Sequence, residues 1–87
     1  MALLNRERKI MLETRVRIII DPPGGIPIEG IVRIIQDEPG KKIGVELDHF
    51  SDFAHSLDQR VEERTDPVRG ITVGKGWWTI EDNLEIL

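Results

Sequence analysis

The chain has 87 residues, a net charge of -4 and no cysteine, which allows one domain and excludes disulfide staples and thiolate metal sites. No apolar run approaches the roughly 20 residues that a membrane-crossing helix needs. The first residues do not pair a charged segment with an apolar one as a secretory signal does, so the expectation is a cytoplasmic protein away from membranes. The charge is uneven. Arg6, Arg8, Lys9, Arg15 and Arg17 outnumber Glu7 and Glu13 over residues 1–20, whereas residues 21–87 hold fourteen acidic against seven basic side chains. An acidic body disfavours general phosphate binding, which depends on neutralising many phosphates with Lys and Arg.

Residues 1–12 read as an extension, helical or flexible, ahead of a domain over residues 13–87. In Arg15-Val16-Arg17-Ile18-Ile19-Ile20 the apolar Val16, Ile18 and Ile20 alternate with arginine, the period of a strand with one wet face. Asp21-Pro22-Pro23-Gly24-Gly25 stops it, because proline cannot donate to a ladder and glycine favours turns. Gly30-Ile31-Val32-Arg33-Ile34-Ile35 predicts a second strand, ended by Asp37-Glu38-Pro39-Gly40. Ile43, Val45 and Leu47 share one face of a third. Residues 49–63 are polar, without glycine or proline, and predict a long loop holding one helical turn. Asp66-Pro67 reads as a turn. Ile71-Thr72-Val73 and Trp77-Trp78-Thr79-Ile80 predict two strands around a Gly74-Lys75-Gly76 connection, and Leu84-Glu85-Ile86-Leu87 a last one. Five or six short antiparallel strands in this length predict an all-β domain, a small barrel rather than a sandwich.

This order, with Gly44-Val45-Glu46-Leu47-Asp48 and Gly74-Lys75-Gly76-Trp77-Trp78 in their places, resembles the CAP-Gly domain, a small SH3-like barrel that binds peptides. Arg15-Val16-Arg17-Ile18 looks like its first strand and Gly30-Ile31-Val32-Arg33 like its second. The resemblance implies a barrel and a groove beside the loop that follows the third strand. The family's signature Gly-Lys-Asn-Asp-Gly-Ser-Val is reduced here to Ser56-Leu57-Asp58-Gln59-Arg60-Val61, and Lys42 stands where an aromatic residue is usual. The implication therefore covers the location of a groove and not the family's specificity for peptides ending in an aromatic carboxylate.

Neighbouring tryptophans in a strand point to opposite faces, so one of Trp77 and Trp78 is directed outward, where tryptophan is enriched among binding hot spots. The expected site is a protein- or peptide-binding groove of Trp77, Trp78 and Phe53, with Arg60, Arg64 and Lys75 complementing an acidic partner. No cofactor is expected. His49, Asp52, His55 and Asp58 recur at a spacing of three and would line up on a helical turn as metal ligands, but loop polarity explains the same residues without a metal, and no metal site is expected. With no nucleophile–base pair and no phosphate-cradling motif, an enzyme is not expected. Two alternatives remain: a nucleic-acid-associated barrel using Arg6, Arg8 and Lys9, and a small structural subunit of a larger, phage-like assembly.

Overall fold

A computed structural model describes residues 9–87. It is all-β: six strands form one antiparallel sheet. β1 is Arg15–Ile18, β2 Ile28–Ile35, β3 Ile43–Ser51, β4 Glu63–Asp66, β5 Ile71–Thr79 and β6 Leu84–Ile86. The order across the sheet is β4-β5-β3-β2-β1-β6. β4 and β6 stand at opposite edges, so the sheet does not close into the expected barrel.

Alternation sets the two faces. Across four strands, Ile86 pairs with Val16, Val16 with Gly30, and Gly30 with Leu47. A second row runs Val32, Val45, Trp77. Val16, Val32, Val45, Leu47, Ile18 and Leu84 from these rows and their neighbours are fully buried, with Ile10 and Ala54 in the same cluster. Removing apolar surface from water here, at roughly 25 cal/mol per Å², is the main stabilising contribution.

The opposite face carries charge. Arg17 bridges Glu85 (2.9 Å) and Glu29 (2.7 Å), and Arg15 reaches Asp48 (2.7 Å) and Glu29 (3.4 Å), so one chain of ion pairs crosses β6, β1, β2 and β3. Arg33 pairs with Glu13 and Glu46, and Lys75 approaches the same Glu46 at 3.5 Å.

Several sequence expectations need correction. β1 ends at Ile18, because the N–H groups of Ile19 and Ile20 both turn to the Asn83 carbonyl (2.9 and 3.3 Å). Ile20 consequently leaves the buried row and is exposed. β3 runs on through His49 and Phe50 to Ser51, shortening the expected loop. Glu63-Arg64-Thr65-Asp66 is a strand, paired with β5 through the turn at 67–70. Gly74-Lys75-Gly76 does not separate two strands but lies inside β5, where glycine permits close approach of other chain. Ile10 is buried in the core, so the N-terminal extension docks at least from that residue. The part of the extension over residues 1–8 lies outside the described residues.

Candidate functional site

The two tryptophans face apart, as alternation requires. Trp77 lies opposite Val45 on the core side, and Trp78 lies opposite Gly44 on the other. Both are half-buried. A bulge between Val32 and Ile34 shifts the register of β2, so Ile34 falls opposite Gly44 and joins Trp78. Residues 52–62 fold back over this spot. A Cβ on Gly44 would lie 2.9 Å from the Trp78 ring and 3.2 Å from Leu57 Cδ2, and one on Gly76 would lie 2.7 Å from Leu57 Cγ. Leu57, fully buried, therefore fills the space between loop and tryptophan where the groove was expected. His55 pairs its backbone with Gly76 and stacks its ring near both indoles. Lys41 Nζ stands 5.8 Å from the Trp78 ring centroid, within cation–π range.

Phe53, at the start of the same loop, points elsewhere. It is 67% exposed, and its ring rests on Gly24, where a Cβ would stand only 2.8 Å from Phe53 Cδ2. Gly24 has φ 70°, a left-handed conformation that glycine adopts without penalty. Beside it Ile26 is 72% exposed. Phe53, Phe50, Ile26, Pro23 and Pro27 line an open groove of about 370 Å³, with Asp52 and Arg69 at its end. A neighbouring hollow of about 460 Å³ shares Phe50, Asp52 and Arg69 and is completed by Arg64, Thr65, Asp66, Pro67 and Val73.

The two spaces meet at Phe50 and at an ion-pair clamp. Arg69 is held by Asp52 and by Asp66 (2.7 Å) and ties the β4–β5 turn to the loop. The Arg64 guanidinium lies over the Phe50 ring, 4.3 Å from its centroid, and among the described residues no carboxylate pairs with it. Lys75 Nζ is 5.9 Å from the same ring. An anionic group entering here would meet a cation on an aromatic face, next to an apolar trough.

The expected site residues thus divide. Phe53, Arg64 and Lys75 gather around Phe50 and the paired hollows. Trp77 and Trp78 belong to a separate packed cluster, and Arg60 is exposed on the far arm of the loop. Sequence reasoning missed Ile26, Phe50 and Arg69. The sequence places Phe50 in a loop, and only the long reach of β3 reveals its place. His49, Asp52, His55 and Asp58 do not converge: His49 lies on β3, Asp52 holds Arg69, His55 meets the tryptophans and Asp58 pairs with Lys41. Among the described residues no three His, Asp or Glu side chains come together as metal ligands do.

Of the basic N-terminal segment, Arg6 and Arg8 lie outside the described residues and Lys9 is exposed. Arg15 and Arg17 spend their guanidinium donors on Asp48, Glu29 and Glu85. No family model, curated protein or solved structure matches the chain.

Proposed function

We propose that the protein is a non-enzymatic interaction module that takes a peptide or protein segment into the groove beside Phe53. The observation that carries this reading is the joint exposure of Phe53 and Ile26 over a groove whose neighbour holds Arg64 on Phe50, without a carboxylate partner among the described residues. A large aromatic ring left in water next to apolar neighbours, with a cation at hand, is the composition of a binding hot spot. The partner that fits carries an apolar side chain for the trough and an acidic group for Arg64.

The resemblance of Gly44-Val45-Glu46-Leu47-Asp48 to the CAP-Gly third strand supports the same class of function, as peptide binding is what that family does. It also supports kinship with small SH3-like domains, here with an open sheet. The groove proposed lies one loop away from the tryptophans. Arg15 and Arg17 are paired with acidic neighbours and so offer little to a phosphate backbone.

The test is amide chemical-shift mapping with a peptide selected for binding. Signals of Gly24, Ile26, Asp52, Phe53 and Arg64 should move, and those of Gly44 and Trp78 should stay. Movement centred on Trp78 would return the site to the tryptophan face. Phe53→Ala should cost about 2 kcal/mol of affinity, close to thirtyfold, with little loss of stability.

A further inference from the structure

Residues 57–59 adopt a shape that L-amino acids avoid. Leu57, Asp58 and Gln59 have φ of 51°, 57° and 72° in succession, a single turn of left-handed helix containing no glycine. The Ser56 carbonyl closes the turn by accepting from the N–H groups of Arg60 (2.8 Å) and Val61 (3.0 Å), and Ser56 Oγ accepts from Gln59 N–H at 2.9 Å. Such a conformation persists only where its surroundings enforce it. Buried Leu57 is one anchor.

The other anchor is His55. Each of its ring nitrogens faces a backbone donor: Nδ1 lies 3.2 Å from the Leu57 N–H, at the entry to the turn, and Nε2 lies 3.3 Å from the Trp78 N–H, on β5. A neutral imidazole offers one acceptor nitrogen and an imidazolium none. The neutral ring therefore accepts from one of the two backbone donors, according to which nitrogen carries its proton, and a single added proton removes that acceptor. The ring stacks near Trp77 (centroids 5.9 Å apart, planes at 22°) and Trp78 (6.3 Å, 25°), so it has little freedom to turn away.

We propose that His55 is a proton-operated latch. Neutral, it pins the left-handed turn and Leu57 against Trp78; protonated, it sets its own N–H groups against two backbone N–H groups and releases the turn. The charged groups around it pull both ways. Glu63 on β4 and Asp58 in the turn favour the cation, while Lys41, on the connection from β2 to β3, opposes it. Stacking on indole also favours the cation. Burial outweighs these attractions and holds the ring below its ordinary value of 6.5. With the folded value below the unfolded one, the latch is fully closed above pH 6.5, and its contribution is lost as pH falls through the folded value. The latch concerns the loop itself and stands whether or not the Phe53 groove binds a peptide.

The test is an NMR pH titration of the full chain, reading the His55 ring, the Leu57 and Trp78 amides and tryptophan emission together. The expected result is a His55 midpoint below 6.5. At that midpoint the emission should shift to the red, and Leu57 amide exchange should accelerate about tenfold beyond its intrinsic pH dependence. His49→Gln should keep the transition, and His55→Gln, which retains one acceptor and cannot titrate, should abolish it. Should His55→Gln fail to fold, the titration of the natural chain still decides. A His55 midpoint at or above 6.5, or titration with no change in the Leu57 amide or the emission, would overturn the proposal.

Discussion

Leu57 rests on the bare backbone of Gly76: a Cβ at position 76 would lie 2.7 Å from Leu57 Cγ and 2.6 Å from the carbonyl oxygen of His55. The second contact is with backbone and cannot yield by a change of rotamer. Gly76→Ala should therefore push the loop off the sheet and destabilise the domain by about 2 kcal/mol or more, as overpacking does. A thermal melt of the variant checks this, and an unchanged midpoint would contradict the packing described.

Gln59 shows the opposite opportunity. It is exposed and holds φ 72°, a region costing a non-glycine residue roughly 1–2 kcal/mol. Gln59→Gly removes that strain and gives back part of it as extra freedom of the unfolded chain. The expected net gain is about 0.5–1 kcal/mol in chemical denaturation.

Thr79 is a second place where the natural residue is not the most stabilising. It is buried opposite Ile43 on β5, and its Oγ1 has no hydrogen-bond partner among the described residues. Thr79→Val replaces the orphaned hydroxyl with a methyl of nearly the same shape and should stabilise the fold by about 1 kcal/mol. A shift of the urea midpoint to higher concentration reports the result.

The sheet's charged face governs acid stability. The hydrogen bond from Arg17 holds Glu29 below its ordinary carboxylate range, that from Arg33 does the same for Glu46, and that from Arg15 for Asp48. Carboxyls with folded values below their unfolded ones stabilise the protein above the unfolded value, and this is lost as pH falls through the folded one. The urea midpoint should thus fall below pH 4.5, the ordinary value of Glu29 and Glu46. These pairs are largely exposed, so the step should be modest and shrink in about 1 M salt. An acid midpoint insensitive to salt would contradict the assignment.

Much of the sheet is legible in the sequence because alternation is strong where one face is buried. Val16 and Ile18, or Ile43, Val45 and Leu47, mark their strands without ambiguity. Glu63-Arg64-Thr65-Asp66 carries no such mark, since β4 is an exposed edge strand whose charged side chains give no period of two. Gly74 and Gly76 suggested a break for a sound local reason, yet they serve to admit His55 and Leu57 across β5. Closure into a barrel could not be read from strand order, because it depends on whether β4 meets β6.

The site was legible in part. Phe53 stands out as an aromatic residue in a polar stretch, Arg64 as a cation just beyond it, and Lys75 as a cation between two glycines. Ile26 and Phe50 were not, because they join Phe53 only through the turn at Pro23–Gly25 and the length of β3. The outward tryptophan was anticipated, but its covering by Leu57 needs three left-handed residues in a row, which no propensity rule foresees.

The most direct test of the central claim is to pan a displayed library of random peptides against the immobilised protein and, in parallel, against Phe53→Ala verified as folded by amide dispersion. The account predicts enrichment on the natural chain of peptides that combine an apolar and an acidic residue, with loss of that enrichment on Phe53→Ala. No enrichment over a blank surface, or peptides retained equally by both proteins, would contradict it.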